Sequence, residues 1–177
     1  MRDVELTVTV EAGSAACFAF IADHTNTPRF MRGIKRYEPI GSKSQGKGAR
    51  FVTVAQVAGR NIESELEITG WSDGKQMVAS SVKGPKTRGS WTFAARDDSS
   101  TDITLKYEYE VPGILRLIPS KVVEATIEGE LKKSLGQLKK LIEAEGRRPS
   151  PTITKRSATG AARSPARRGA KKPSSRG

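Results

Sequence analysis

The sequence predicts an α+β fold: a curved antiparallel seven-stranded sheet wrapped around one long C-terminal helix, with two short helices after the first strand. Three observations carry this reading. Between residues 120 and 145, Val123, Ile127, Leu131, Leu135, Leu138 and Ile142 recur at steps of three and four. They form one apolar face of a helix roughly 40 Å long. Ahead of it, segments of alternating apolar and polar residues follow one another with only short turn signals between them, which pairs neighbours antiparallel. Burying six aliphatic side chains contributes roughly 10 kcal/mol before chain entropy is subtracted. The helix therefore needs a wide apolar partner, and the sheet supplies it.

The first strand is Val4, Leu6, Val8 and Val10 alternating with Glu5, Thr7 and Thr9. Gly13 and Ser14 end it, and Ser14 is expected to cap a short helix over 15–22. Phe18 and Ile21 are its expected core contacts, with Phe20 less favoured. Residues 23–29 hold Asn26, Thr27 and Pro28, a break before a helical turn carrying Phe30 and Met31. Residues 34–40 form the second strand, where Pro39 marks an edge or an end. Gly41, Gly46 and Gly48 make a loop. Residues 50–58 are apolar on both faces, and Gly59-Arg60-Asn61 turns the chain. Ile62, Ser64, Leu66 and Ile68 alternate with Glu63, Glu65 and Glu67. Ser72-Asp73-Gly74 is a hairpin signal. Residues 76–82 form the next strand, closed by Gly84-Pro85. Residues 88–95 place Trp91, Phe93 and Ala95 on one face. After Asp97 to Ser100, Ile103, Leu105, Tyr107, Tyr109 and Val111 alternate with Thr104, Lys106, Glu108 and Glu110 up to Pro112-Gly113. Pro119 cannot continue a helix, and Ser120 is expected to cap the long one. Lys121, Lys132, Lys139 and Glu143 take its polar face, and Gly146 stops it.

Charge divides the chain in two. All 19 acidic residues lie at or before Glu145, against 21 basic ones, a net of +2. From Gly146 onward there are ten Lys and Arg and no acid, which completes the overall +12. The division reads as one ordinary domain over residues 1–145 and a basic tail over 146–177. The tail has one branched apolar residue, Ile153, and no aromatics, so it is predicted to be disordered. Cys17 is the only cysteine, which excludes an intrachain disulfide and points to a small buried hydrophobe. His24 is the only histidine, so no cluster of histidine ligands can hold a metal. Gly41, Gly46 and Gly48 are not followed by a helix, which argues against a phosphate-binding loop. No cofactor is expected. The first residues contain no secretory apolar region, and no apolar run approaches the length of a membrane span. Cytoplasmic location is the resulting expectation.

The order of elements resembles the helix-grip fold of the START-like, pollen-allergen-like superfamily. The nearest branch is the polyketide cyclase/dehydrase and lipid-transport group, also called SRPBCC proteins. Residues 23–31 with Pro28-Arg29-Phe30, the strand entry Gly48-Ala49-Arg50, the turn Gly59-Arg60, and residues 101–113 with their Pro-Gly exit carry the likeness. It spans residues 1–145. The resemblance implies an apolar cavity between sheet and helix. It does not choose between carrier, cyclase and ribosome-associated factor.

The concave face is expected to carry Leu66, Ile68, Trp91, Phe93, Tyr107 and Tyr109, facing Val123, Ile127 and Leu131, with the two phenols as hydrogen-bond handles. The plainer alternative is that these side chains simply pack on the helix. Glu124 falls inside the apolar stripe, where a carboxylate needs a partner or a proton. Its plainer reading is a first-turn acid favoured by the helix dipole and reaching solvent. Arg50, Gln56, Ser64 and Arg88 are polar residues on strands, and none completes a triad. The expected function is binding or transport of a small hydrophobic ligand, such as a lipid, polyketide or quinone. The alternatives are a cyclase/dehydrase using Glu124 or a tyrosine, and a ribosome- or nucleic-acid-associated factor. That last role, non-specific contact with nucleic acid or an anionic surface, would fall to Arg147, Arg148, Arg167, Arg168, Lys171 and Lys172.

Overall fold

The computed structural model describes residues 1–147. The elements are β1 (Arg2–Val10), α1 (Ser14–Ala22), α2 (Thr27–Phe30), β2 (Ile34–Pro39), β3 (Arg50–Val57), β4 (Arg60–Ser72), β5 (Gln76–Lys83), β6 (Thr87–Asp97), β7 (Ser100–Tyr109) and α3 (Ser120–Gly146). The sheet order is β1-β7-β6-β5-β4-β3-β2, with every pair antiparallel. The two short helices therefore carry the chain from one edge of the sheet to the other. It then returns hairpin by hairpin until β7 pairs with β1. Pro39 sits on the edge strand β2, where a missing N–H interrupts no central ladder.

Period-two alternation sends one face of each strand inward. At the β5–β7 end, Met77, Phe93 and Ile103 pack with Phe18, Phe20, Phe30, Leu138 and Ile142, so α1 and the last turns of α3 share one core. Leu105, Leu131 and Leu135 form a second cluster with Val4, Leu6 and Tyr107. A third, of Ala49, Phe51 and Ile68, draws on Tyr37, Trp71 and Ala79 and contains no residue of α3. The helix thus covers the β1, β7 and β6 side, and the β2–β4 side has an apolar face of its own.

Several local details differ from expectation. Ser14 and Ser120 are the first residues of their helices, and neither side chain caps. The carbonyls of Gly13 and Pro119 already accept from Cys17 and Val123, so each helix starts one residue early. Arg60 belongs to β4, because Ala58 (φ +46°) and Gly59 (φ +77°) alone make the tight turn. Lys139 and Glu143 do not simply face solvent. Lys139 Nζ donates to the Thr9 carbonyl (2.7 Å) and pairs with Glu143 (2.6 Å). Glu143 in turn accepts from the Glu11 amide (3.0 Å), tying α3 to the end of β1. Ser134, fully buried, accepts from the Arg32 amide (2.8 Å) and donates to the Glu130 carbonyl. It pins the turn after α2 to the helix. Of the tail residues, Arg147 is exposed in the turn after α3. Arg148, Arg167, Arg168, Lys171 and Lys172 lie outside the described residues, as does the expected disorder of the tail.

Two glycines test how the sheet turns. Gly84 has φ +85°, and a Cβ there would lie 2.6 Å from the Glu63 carbonyl oxygen. Gly59 has φ +77° with nothing within 4 Å. Gly59→Ala should cost roughly 1–2 kcal/mol, the left-handed backbone alone. Gly84→Ala should cost clearly more, roughly 3 kcal/mol or above, because backbone must also move. Urea unfolding of both variants measures the difference, and equal midpoints would refute it.

Candidate functional site

Where α3 stops covering the sheet, a cavity of about 240 Å³ remains. Its walls follow the strand period. Phe51, Thr53 and Ala55 come from β3, and Ile62, Ser64, Leu66 and Ile68 from β4. Gly89 and Trp91 come from β6, and Leu105, Tyr107 and Tyr109 from β7. Phe30, Met31, Ile127 and Leu131 close it from the helical side. The loop between β2 and β3 covers it with Ser44 and Gln45, and the Gln45 amide donates to the Ala22 carbonyl (3.3 Å).

Seven of the ten residues expected at the site line this cavity: Leu66, Ile68, Trp91, Tyr107, Tyr109, Ile127 and Leu131. Phe93, Val123 and Glu124 do not. Phe93 continues the face of Trp91 but lies under α1, edge-on to Phe18 at 5.3 Å, and is sealed into the core. Val123 is completely buried at the start of α3. Glu124 forms an ion pair with Arg2, at the start of β1, and its side chain keeps 42% exposure. The helix angle that placed it in the apolar stripe turns it toward the edge strand and solvent, in line with the plainer reading. Among the other polar candidates, Gln56 and Ser64 line the cavity. Arg50 and Arg88 pair with Glu67 (3.1 Å) and Glu108 (3.0 Å).

Among the aromatic residues of the wall absent from the expected site are Phe51, on a strand apolar on both faces, and Tyr37 and Trp71. Tyr37 and Trp71 each sit just after a bulge. The register slips between Ile34 and Arg36 in β2 and between Ile68 and Gly70 in β4. Each slip brings residues three apart onto one face: Ile34 with Tyr37, and Ile68 with Trp71. Strict alternation places both aromatics on the wrong side. Gly70 is the only local mark of the second bulge, since a Cβ there would press to 3.0 Å on Val78.

The phenols set the polarity of the interior. Tyr37 stacks on Phe51 at 4.8 Å, and burial pushes its phenol up to about 12. Burial is the cause of that shift, and Tyr37 lines the cavity. Burial likewise pushes Tyr107 up to about 12, partly offset by the Thr87 hydroxyl beside it. Tyr109 is raised by burial, with Arg2 acting against the shift and Glu128 adding to it. The three phenols are thus neutral donors in an apolar chamber.

The mouth is different. Arg32, Gln56, Thr126 and Glu130 border both the chamber and a polar groove between α2, the β3–β4 turn and α3. Arg32 Nε lies 3.5 Å from Glu130. A hydrogen bond from Lys133, helped by Arg32, holds the Glu130 carboxyl below the usual range. Among the described residues no group of three or more His, Cys, Asp or Glu could hold a metal ion. No described helix is long and apolar enough to cross a membrane.

The family model described as polyketide cyclase / dehydrase and lipid transport matches residues 1–143. A structure from Thermus thermophilus superposes with a TM-score of 0.70 at 18% identity, covering 81% of this chain and 99% of that one. The Zhui aromatase/cyclase from Streptomyces sp. R1128 gives 0.68 at 19%, covering 82% and 96%. A START superfamily protein from Mycobacterium smegmatis gives 0.66 at 15%, covering 81% and 98%. At these identities the structures establish the shared fold. No curated protein matches in sequence.

The buried phenols fix a pH response. An ordinary phenol ionises near 10.0, whereas folded Tyr37 and Tyr107 keep their protons to about 12. At intermediate pH the unfolded chain has lost protons that the folded one still holds, so the shift favours unfolding as pH rises. Stability should be intact below pH 10 and fall between 10 and about 12. Phenolate absorbance should rise near pH 10 in denaturant and later in the folded protein. Coincident titrations would contradict the buried geometry.

Proposed function

This chain belongs to the polyketide cyclase / dehydrase and lipid transport family, and on that footing we propose that it binds and carries a small hydrophobic ligand in the chamber between sheet and α3. The observation that carries the reading is a chamber of about 240 Å³ walled by aliphatic and aromatic side chains, with the buried Tyr37 phenol among them. A water-filled chamber of this lining would leave apolar surface wet. A ligand of matching polarity removes that cost. Phe51, Trp71 and Trp91 offer flat faces, and Tyr37 offers one donor. Together they favour a planar conjugated ligand with a carbonyl oxygen, quinone-like or polyketide-like, over a saturated acyl chain.

A carrier is favoured over a cyclase because Glu124, the carboxylate expected to carry a catalytic role, is engaged by Arg2 outside the chamber, and Glu130 at its border is paired with Arg32 and Lys133. Tyr37 and Tyr107, raised to about 12, are better hydrogen-bond donors than proton-transfer groups near neutral pH.

Displacement of a fluorescent naphthylamine probe by quinones, polyketide aromatics and fatty acids tests the reading. Ala79→Trp should fill the chamber and abolish probe binding while cooperative unfolding persists. Tyr37→Phe should weaken carbonyl-bearing ligands roughly tenfold and leave hydrocarbon ligands unchanged. Undiminished binding by Ala79→Trp would show that ligands bind elsewhere.

A further inference from the structure

The segment joining β7 to α3 exposes apolar side chains that the chamber does not use. Leu117 is 100% exposed, Ile114 58% and Val122 50%. A side chain with full exposure projects from the surface and does not lie along it. The segment is nevertheless ordered. Leu115 is completely buried beneath it. The amides of Leu115, Arg116 and Ile118 donate to the carbonyls of Pro112, Gly113 and Leu115. Ile114 and Leu117 are three apart in these tight turns and so share a side. Arg116 and Lys121 are exposed beside them, and no acid occurs between Glu110 and Glu124.

From this we infer that the tip around Leu117 docks the protein on an anionic lipid bilayer, with Ile114, Leu117 and Val122 entering the acyl boundary and Arg116 and Lys121 meeting phosphates. The combination of projecting aliphatic chains and acid-free basic neighbours matches that interface in both polarity and sign. A second copy of the chain fits less well, because three aliphatic side chains fall far short of the roughly 800 Å² per partner of a stable interface. The surface stands on its own exposure and charge, whatever the chamber holds. Pro112, at the base of the segment, also lines the chamber.

The test uses the full chain carrying Leu117→Cys labelled with an environment-sensitive fluorophore. Cys17 is completely buried and escapes the label. The control label is at Ser99→Cys, in the turn at the far end of β7. On phosphatidylcholine vesicles containing one third phosphatidylglycerol, the label at position 117 should shift to the blue and brighten, and the one at 99 should not. Unlabelled Leu117→Glu should lose roughly tenfold or more in vesicle partitioning. Its full exposure in the parent keeps folding out of the result. Sedimentation with vesicles while the 117 label stays unmoved would overturn the inference and assign binding to basic residues elsewhere. So would an equal shift on pure phosphatidylcholine, a concentration-dependent shift without vesicles, which would indicate self-association, or no binding.

Discussion

One helix cannot cover seven strands. Strands spaced roughly 4.8 Å apart give a sheet about 29 Å across, while a helix with its side chains is about 10 Å wide. The helix must choose a side, and the anchors of α3 choose it. Leu131 and Leu135 pack with Leu105 of β7, and Lys139 and Glu143 bind the end of β1. Everything on the other side of the sheet must then be closed by means other than a second helix. The crossover helices and the β2–β3 loop do this. Sheet curvature, sharpened by bulges in β2 and β4, brings the far strands toward them. The chamber is the space that these partial covers leave.

That arrangement separates stability from function along the same helix. The C-terminal half of α3 carries Leu138 and Ile142 into a sealed aromatic core with Phe18, Phe20 and Phe93. Nearer its start, Ile127 and Leu131 face open volume. Between them, Ser134 turns a buried hydroxyl to use by accepting the Arg32 amide, which fixes the turn that forms one lip of the mouth. A buried serine in an apolar stripe is costly unless its hydroxyl is satisfied, and here the helix carbonyl of Glu130 and a neighbouring amide satisfy it. The polar lip and the apolar wall are thus built by residues one helical turn apart.

Chemistry inside the chamber follows from burial more than from residue choice. A phenol on a wet surface is a weak acid near pH 10. Against Phe51, or beside Thr87 in a closed strand pair, it becomes a persistent neutral donor. Carboxylates face the opposite constraint. Glu124 and Glu130 lie on the half of α3 that borders the chamber, yet each pairs with an arginine at or near the surface, Arg2 and Arg32. Ionised groups stay where water or a partner can solvate them, and the interior keeps only groups that tolerate neutrality.

The sequence by itself determined the order of elements, the antiparallel meander and the apolar face of α3. These rest on backbone periods of 2 and 3.6, which a local window of residues carries whatever the chain does elsewhere. It also placed part of the wall, because Leu66, Ile68, Trp91, Tyr107 and Tyr109 follow the strand period on their faces. Only the tertiary structure decided the rest. Phe93 shares the face of Trp91 but falls under α1, a matter of which cover lies above it. Tyr37 and Trp71 reach the chamber through bulges, each a single inserted residue that reverses facing and leaves at most a glycine as its trace. Glu124 is settled by Arg2, which stands far from it in sequence and beside it only because β1 and α3 pack together. A period is a property of neighbours along the chain, while facing, cover and charge partner are properties of neighbours in space.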